Sequence, residues 1–221
     1  MPAMTLILMT WMIINFLNER TNIMNKFLAI IFSAFFLTVN SANAAIDGSK
    51  AEKFIQNVTS QGIEQLVNAD IPNSERDARF TKMFNQDFDL DFIGKFVLGR
   101  YWRTATDAQR KEFIDIYRKL NIQTWSERFN EFKGKHFEFL GTEKSQQDDQ
   151  IFVVTQVPMQ EGAPASVKWR VKETNGQMRI VDIIIENVSL ALTARSEYTA
   201  FVQKAPDGVD GLIKNLKSKL K

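Results

Sequence analysis

Cysteine is absent from this chain, and histidine occurs once, at His136. Without cysteine no disulfide can brace the fold, so an apolar core must hold it. With no Cys and a lone His, a zinc site of the usual ligands cannot be assembled. A nucleophilic triad would have to use His136, which stands beside Gly134 and Lys135 at a strand start with no nucleophile elbow near it. A strand-end or surface role is the simpler reading. There is no P-loop and no dinucleotide fingerprint. An excess of one charge is lacking too: 28 Lys and Arg stand against 26 Asp and Glu, a formal net charge of +2, which leaves no nucleic-acid footprint. Beyond residue 45 no apolar run approaches the roughly 20 residues that a membrane-spanning helix needs, so that part reads as a soluble chain.

The first 44 residues read differently. Met24-Asn25-Lys26 is a short positive segment, residues 27–39 are apolar, and Ala42-Asn43-Ala44 is an A-x-A site. This order predicts a secretory signal peptide cleaved before Ala45 and export of the chain that follows. A retained membrane anchor is the alternative, but the apolar run is short for it. Residues 4–17 are also apolar, and Asn18 to Arg20 separate them from the leader. Met24 is then the true start, or residues 1–23 extend the positive segment. Residues 45–221 are expected to form one domain, long enough for a substantial core.

Hydrophobic spacing predicts helices over residues 50–69, 74–85, 87–98 and from Thr106 to about Phe132. In the first, Ile55, Val58 and Leu66 share a stripe with Gly62. Ser74 can cap the second, which buries Phe80 and Phe84. The third opens on Asp87, Asp89 and Asp91. They suit the positive end of a helix dipole better than a calcium loop, whose Gly and later Glu are missing. Thr106-Asp107-Ala108-Gln109 is a capping box that starts the longest helix, with Phe113, Ile116, Tyr117, Leu120, Trp125, Phe129 and Phe132 along it.

Past Gly134 the period becomes two. Strands are expected over 136–141, 150–157, 165–173 and 177–185. In the third, Val167, Trp169 and Val171 alternate with Lys168, Arg170 and Lys172, as in a half-buried antiparallel strand. Asn175-Gly176 signals a hairpin. Helices over 189–204 and 207–220 close the chain. Helices, then a meander, then helices imply an α+β fold. The expectation is a curved four-stranded antiparallel sheet with several helices on one face and an apolar cavity between them.

Plentiful Asp and Glu leave carboxylate chemistry open. Asp182 is the notable one, an acid inside the apolar strand around Ile180–Ile185. It points to water, to a partner such as Arg179, Arg195 or a backbone amide, or it is a buried acid with a raised pKa. The aromatic residues are numerous enough to fill a core or to line a cavity, and the sequence alone does not separate the two.

Two segments carry a resemblance. Residues 97–113, VLGRYWRTATDAQRKEF, are similar to the V-L-G-x-Y-aromatic-basic-S/T-A-T-x-A-Q-R block of the MlaC-like periplasmic phospholipid carriers, also called toluene-tolerance auxiliary proteins. Residues 179–198 resemble that family's aromatic-Asp-hydrophobic…G-V-S-hydrophobic segment through Asp182, Val188, Ser189 and Glu197. GVDGLIKNLK, at 208–217, is similar to its closing block. Asn187 replaces the usual Gly before Val-Ser, and Val181 stands where an aromatic is common. Asn tolerates the left-handed backbone better than most residues.

The resemblance implies a carrier and not an enzyme. It implies helices against a curved sheet, with a cavity between them for phospholipid tails. It implies no cofactor and no metal, the phospholipid being cargo. Its partners would be an outer-membrane lipoprotein–porin complex and an inner-membrane ABC transporter with an MCE-domain subunit. On this reading Phe96, Val97, Tyr101, Trp102, Phe113, Tyr117, Leu120, Trp125, Val167, Trp169, Val171 and Ile183 line the tail pocket. Arg100 and Arg103 lie near its mouth, where a phosphate could sit, or form a solvated basic edge. The competing expectation is a small isomerase-like enzyme with Asp182 as base and Tyr101 or Tyr117 as donor. A third is an interaction module with a solid core.

Overall fold

The computed structural model describes residues 46–62, 64, 66, 70–128, 136–159 and 163–220, with only the backbone given for 126–128. They lie within one compact unit, Asn43–Lys221. The expected leader, its cleavage site, Phe129, Phe132, Gly134 and Lys135 fall outside the described residues.

The element order is α1 (Gly48–Gly62), α2 (Asn73–Asp87), α3 (Leu90–Leu98), α4 (Tyr101–Thr104), α5 (Asp107–Arg128), β1 (Glu138–Lys144), β2 (Gln150–Val157), β3 (Ala165–Thr174), β4 (Gln177–Ile185), β5 (Val188–Ser189), α6 (Leu190–Lys204) and α7 (Gly208–Lys217). The class is α+β, as expected. The sheet, however, has five antiparallel strands in sequential order, not four. The added strand is only two residues long, too short for any alternation to announce it.

Turn chemistry sets the meander. Asn175 and Gly176 take φ of 52° and 73° between β3 and β4, and Glu186 and Asn187 take 48° and 64° between β4 and β5. Both are two-residue hairpins with positive φ at each central position, the geometry that matches strand twist. Asn187 thus does the work of the glycine it replaces. Glu186 strengthens its own turn: its N–H donates to the Ser166 carbonyl at 3.0 Å, and its carboxylate accepts from the Ser166 N–H.

The register assigns the faces. Ile151, Val153 and Thr155 oppose Val171, Trp169 and Val167, and Trp169 opposes Ile183. This apolar face meets Ala51, Ile55 and Val58 of α1. Its one buried hydroxyl is satisfied: Thr155 donates to the Val167 carbonyl at 2.9 Å and accepts from the Trp169 indole at 3.0 Å. The other face carries Lys168, Arg170, Lys172 and Asp182. There α6 and α3 approach, so the helices are not confined to one face as expected. Two bulges bend the sheet. One leaves Val181 unpaired between β3 and β4, and the other turns Leu140 out of β1 to 56% exposure.

The helices expected at 74–85 and 87–98 break two residues later than the spacing suggests. Asp87 ends α2, and Phe88 pairs with Ile180 as a parallel bridge at the edge of β4. Asp89 then caps α3, accepting from the Phe92 N–H at 2.9 Å. Of the three aspartates, Asp89 and Asp91 serve the N-terminus of α3, and Asp87 does not.

Candidate functional site

The sequence block 97–113 folds into a tight corner. Leu98 ends α3, and Gly99 at φ 59° redirects the chain. A β-carbon there would meet Thr199 Cγ2 at 3.1 Å and Arg195 Nε at 3.3 Å, so glycine suits both the left-handed turn and the close approach of α6. The single turn α4 follows. The expected capping box then forms in both directions: Gln109 N–H donates to the Thr106 hydroxyl at 3.2 Å, and Thr106 N–H donates to the Gln109 side chain at 2.9 Å. Arg110 clamps the corner, its Nε donating to the Trp102 carbonyl at 2.8 Å and its guanidinium lying over the Trp102 ring.

The corner forms one wall of an open groove of about 610 Å³, within the usual range for ligand sites. Phe92, Phe96 and Trp102 give it an aromatic lining. Lys95, Arg100, Arg103, Lys172 and Arg195 supply cations, and no carboxylate lines it among the described residues. Three of these cations rest on rings. Lys172 Nζ is 4.4 Å from the centre of Phe92, the Arg195 guanidinium 4.8 Å from Phe96, and the Arg100 guanidinium 4.9 Å from Tyr101. Such seats fix the position of long, flexible side chains. Lys172 also pairs with Asp149 at 3.3 Å, and Arg100 donates to the Tyr101 hydroxyl at 2.8 Å. Arg100 and Arg103, singled out from sequence, are therefore brought together. Lys172 and Arg195 were missed, because they come from remote elements.

The residues expected to line a tail pocket are spread over three clusters. Val97, Phe113 and Tyr117 are buried in a helical cluster, with Phe96, Tyr101, Trp102 and Leu120 packed against it. Val167, Trp169 and Val171 belong to the sheet cluster, with Ile183 at its margin. Trp125 packs on a third, around Leu66, Phe80, Phe84 and Leu90. One residue not foreseen touches all three: Phe88. From sequence this aromatic between two aspartates falls in the first turn of the helix expected over 87–98.

Asp182 has its oxygens occupied. Oδ2 accepts from the Ser189 hydroxyl at 2.6 Å and Oδ1 from the Ala191 N–H at 3.0 Å. Ser189 in turn accepts from the Leu192 N–H at 2.9 Å. This relay caps α6, and the carboxylate is 6% exposed. The partner anticipated among Arg179, Arg195 or a backbone amide is the amide, joined by a hydroxyl. Tyr117 stacks beside Phe113 and meets Tyr198 edge-on. Burial raises its phenol above the ordinary tyrosine range, Tyr198 and Asp182 add to the effect, and Asn121 opposes it. Tyr198 is pushed up to about 12, by burial first and then by Glu197. Both phenols stay protonated at neutral pH.

Known proteins resemble this chain in sequence and in fold. The intermembrane phospholipid transport system binding protein MlaC of Haemophilus influenzae is 22% identical over 129 residues, which are 57% of this chain and 59% of that protein. The chain thus spans about three fifths of the length of that curated relative. A solved structure of a phospholipid-binding protein from Ralstonia solanacearum, in complex with a phospholipid, has the same fold, with a TM-score of 0.67 at 18% identity over 76% of this chain and 95% of that one. The MlaC protein family model matches residues 51–218. That span takes in every described element but the first residues of α1, and the chain belongs to the MlaC family.

Proposed function

We propose that this protein is a periplasmic carrier that shelters phospholipid tails and moves lipid between the outer and inner membranes, helping to keep the outer membrane asymmetric. The observation that carries this reading is the family match over residues 51–218. One named relative is a phospholipid transport binding protein, and a protein of the same fold holds a phospholipid. The partners on this reading are an outer-membrane lipoprotein–porin complex and an inner-membrane ABC transporter with an MCE-domain subunit. The tails would lie among the apolar side chains that converge on Phe88, where the helical and sheet clusters meet.

Energetics explain why a carrier is needed. Each methylene withdrawn from water is worth about 0.8 kcal/mol. Two tails of about 16 carbons represent on the order of 25 kcal/mol of gross transfer, which ordering and cavity costs reduce. A lipid therefore does not cross an aqueous gap unaided.

The test is transfer between two vesicle populations separated by a membrane permeable to the protein alone. Labelled phospholipid should reach the acceptor vesicles in proportion to the protein added. No transfer above the protein-free rate would overturn the proposal.

A further inference from the structure

We propose that the aromatic and cationic groove beside Gly99 is a binding site for the phosphate group of an amphiphile. This deepens the carrier reading, on which its lipid form rests, by naming the headgroup chemistry that is held. The groove joins cations from four elements that are distant in sequence: Lys95 at the end of α3, Arg100 beside α4, Lys172 on β3 and Arg195 on α6. Gathering like charges is costly unless something of opposite charge is to meet them. Among the described residues no carboxylate lines the groove to neutralise them, and Asp149 reaches Lys172 alone. One carboxylate ligand would satisfy one guanidinium fork. A phosphate presents more oxygens and can engage several cations at once.

The ring seats make the site more than a solvated face. Phe92 and Phe96 hold Lys172 and Arg195 by their ring faces, and the bare Cα of Gly99 leaves room for the Arg195 side chain beside it. The same rings, with Trp102, offer apolar surface for whatever the phosphate is attached to. Inorganic phosphate uses only half of such a site, whereas a phosphate ester with an apolar body uses both halves.

The experiment is calorimetric titration of the full chain with three probes: sn-glycerol 3-phosphate, dihexanoyl phosphatidylglycerol and inorganic phosphate. Saturable binding is expected, tightest for the dihexanoyl lipid. Arg195→Gln and Arg100→Gln should each weaken it about tenfold, the loss of one charge-assisted hydrogen-bonded contact, and Arg195→Lys should restore part of it. Arg79→Gln, a partly exposed α2 residue paired with Glu75 and not among the groove's lining residues, should bind as the wild type does. Thermal melts of each variant establish that it is folded. If glycerol phosphate binds as tightly as the lipid, with the same arginine dependence, the site holds and its ligand is a free phosphate ester. No saturable binding of any probe, or arginine variants that bind as the wild type does, would overturn the inference. Lipid content of the same preparations separates the two claims. Lipid present with no arginine dependence overturns the groove and leaves the carrier, while arginine-dependent phosphate binding without carried lipid overturns the carrier and leaves the groove.

Discussion

The Asp89 N–H donates to the Ile180 carbonyl at 3.0 Å. That bond, with the parallel bridge of Phe88 beside it, fastens the link between α2 and α3 to the edge of β4. It sits where the sheet bulges at Val181 and where the three apolar clusters converge on Phe88. This short segment thus ties α2 and α3 to the sheet.

Truncating that junction should be costly. Phe88→Ala removes a half-buried ring shared by all three clusters, and a loss of about 2 kcal/mol is expected, below the range for fully buried phenylalanines. Urea unfolding followed by far-UV circular dichroism measures it. A loss below about 1 kcal/mol would show that Phe88 is not the joint.

Asp87 gives stability a defined pH dependence. Burial raises its carboxyl from 3.8 to about 6, and Arg179 works against the rise. Below about 3.8 the folded and unfolded chains both hold the proton. Between 3.8 and 6 the folded chain keeps a proton that the unfolded chain has released, so stability falls as pH rises through this window. Above about 6 the whole cost of an ionised, partly buried carboxylate is present. Asp87→Asn removes that cost. Its melting temperature should exceed the wild type's at pH 7.5 and approach it at pH 4, and a gap that does not change with pH would contradict the assignment.

Asp182 should matter for stability and not for chemistry. Asp182→Ala leaves the Ser189 hydroxyl and the Ala191 N–H without their acceptor and should cost about 2 kcal/mol. Asp182→Asn keeps one acceptor oxygen and, on the carrier reading, should carry as much lipid as the wild type. Loss of lipid from a folded Asp182→Asn protein would point to a direct role for the carboxylate.

The turn before β5 allows a simple backbone test. Asn187 at φ 64° sits where a β-branched side chain is strained by about 1–2 kcal/mol. Asn187→Val should lower the unfolding midpoint accordingly, and Asn187→Gly should leave it within about 0.5 kcal/mol. Equal behaviour of the two would mean that the turn is not held as described.

Features fixed by neighbours in sequence were legible before the structure. The Thr106–Gln109 capping box, the Asn175-Gly176 hairpin and the alternation of Val167, Trp169 and Val171 each follow from contacts within a few residues. Features fixed by distant partners were not. A break between the two helices was legible, but its place at Phe88, two residues on, is set by the edge that Ile180 offers for pairing. The residues assigned to one pocket shared hydrophobicity, but spacing along a helix does not say which helix its stripe will meet. Tyr117 met Tyr198 and Phe113, and Trp169 met Thr155 and α1. The groove was half visible, through Arg100 and Arg103 in the block around Gly99. Lys172 and Arg195 joined it only through the approach of β3 and α6 to α3.

The most direct measurement is native mass spectrometry of the protein purified from cells without detergent. The account predicts a dominant species heavier than the bare chain by the mass of one phospholipid, released on collisional activation. A single species at the mass of the polypeptide alone, from material shown to be folded, would contradict it.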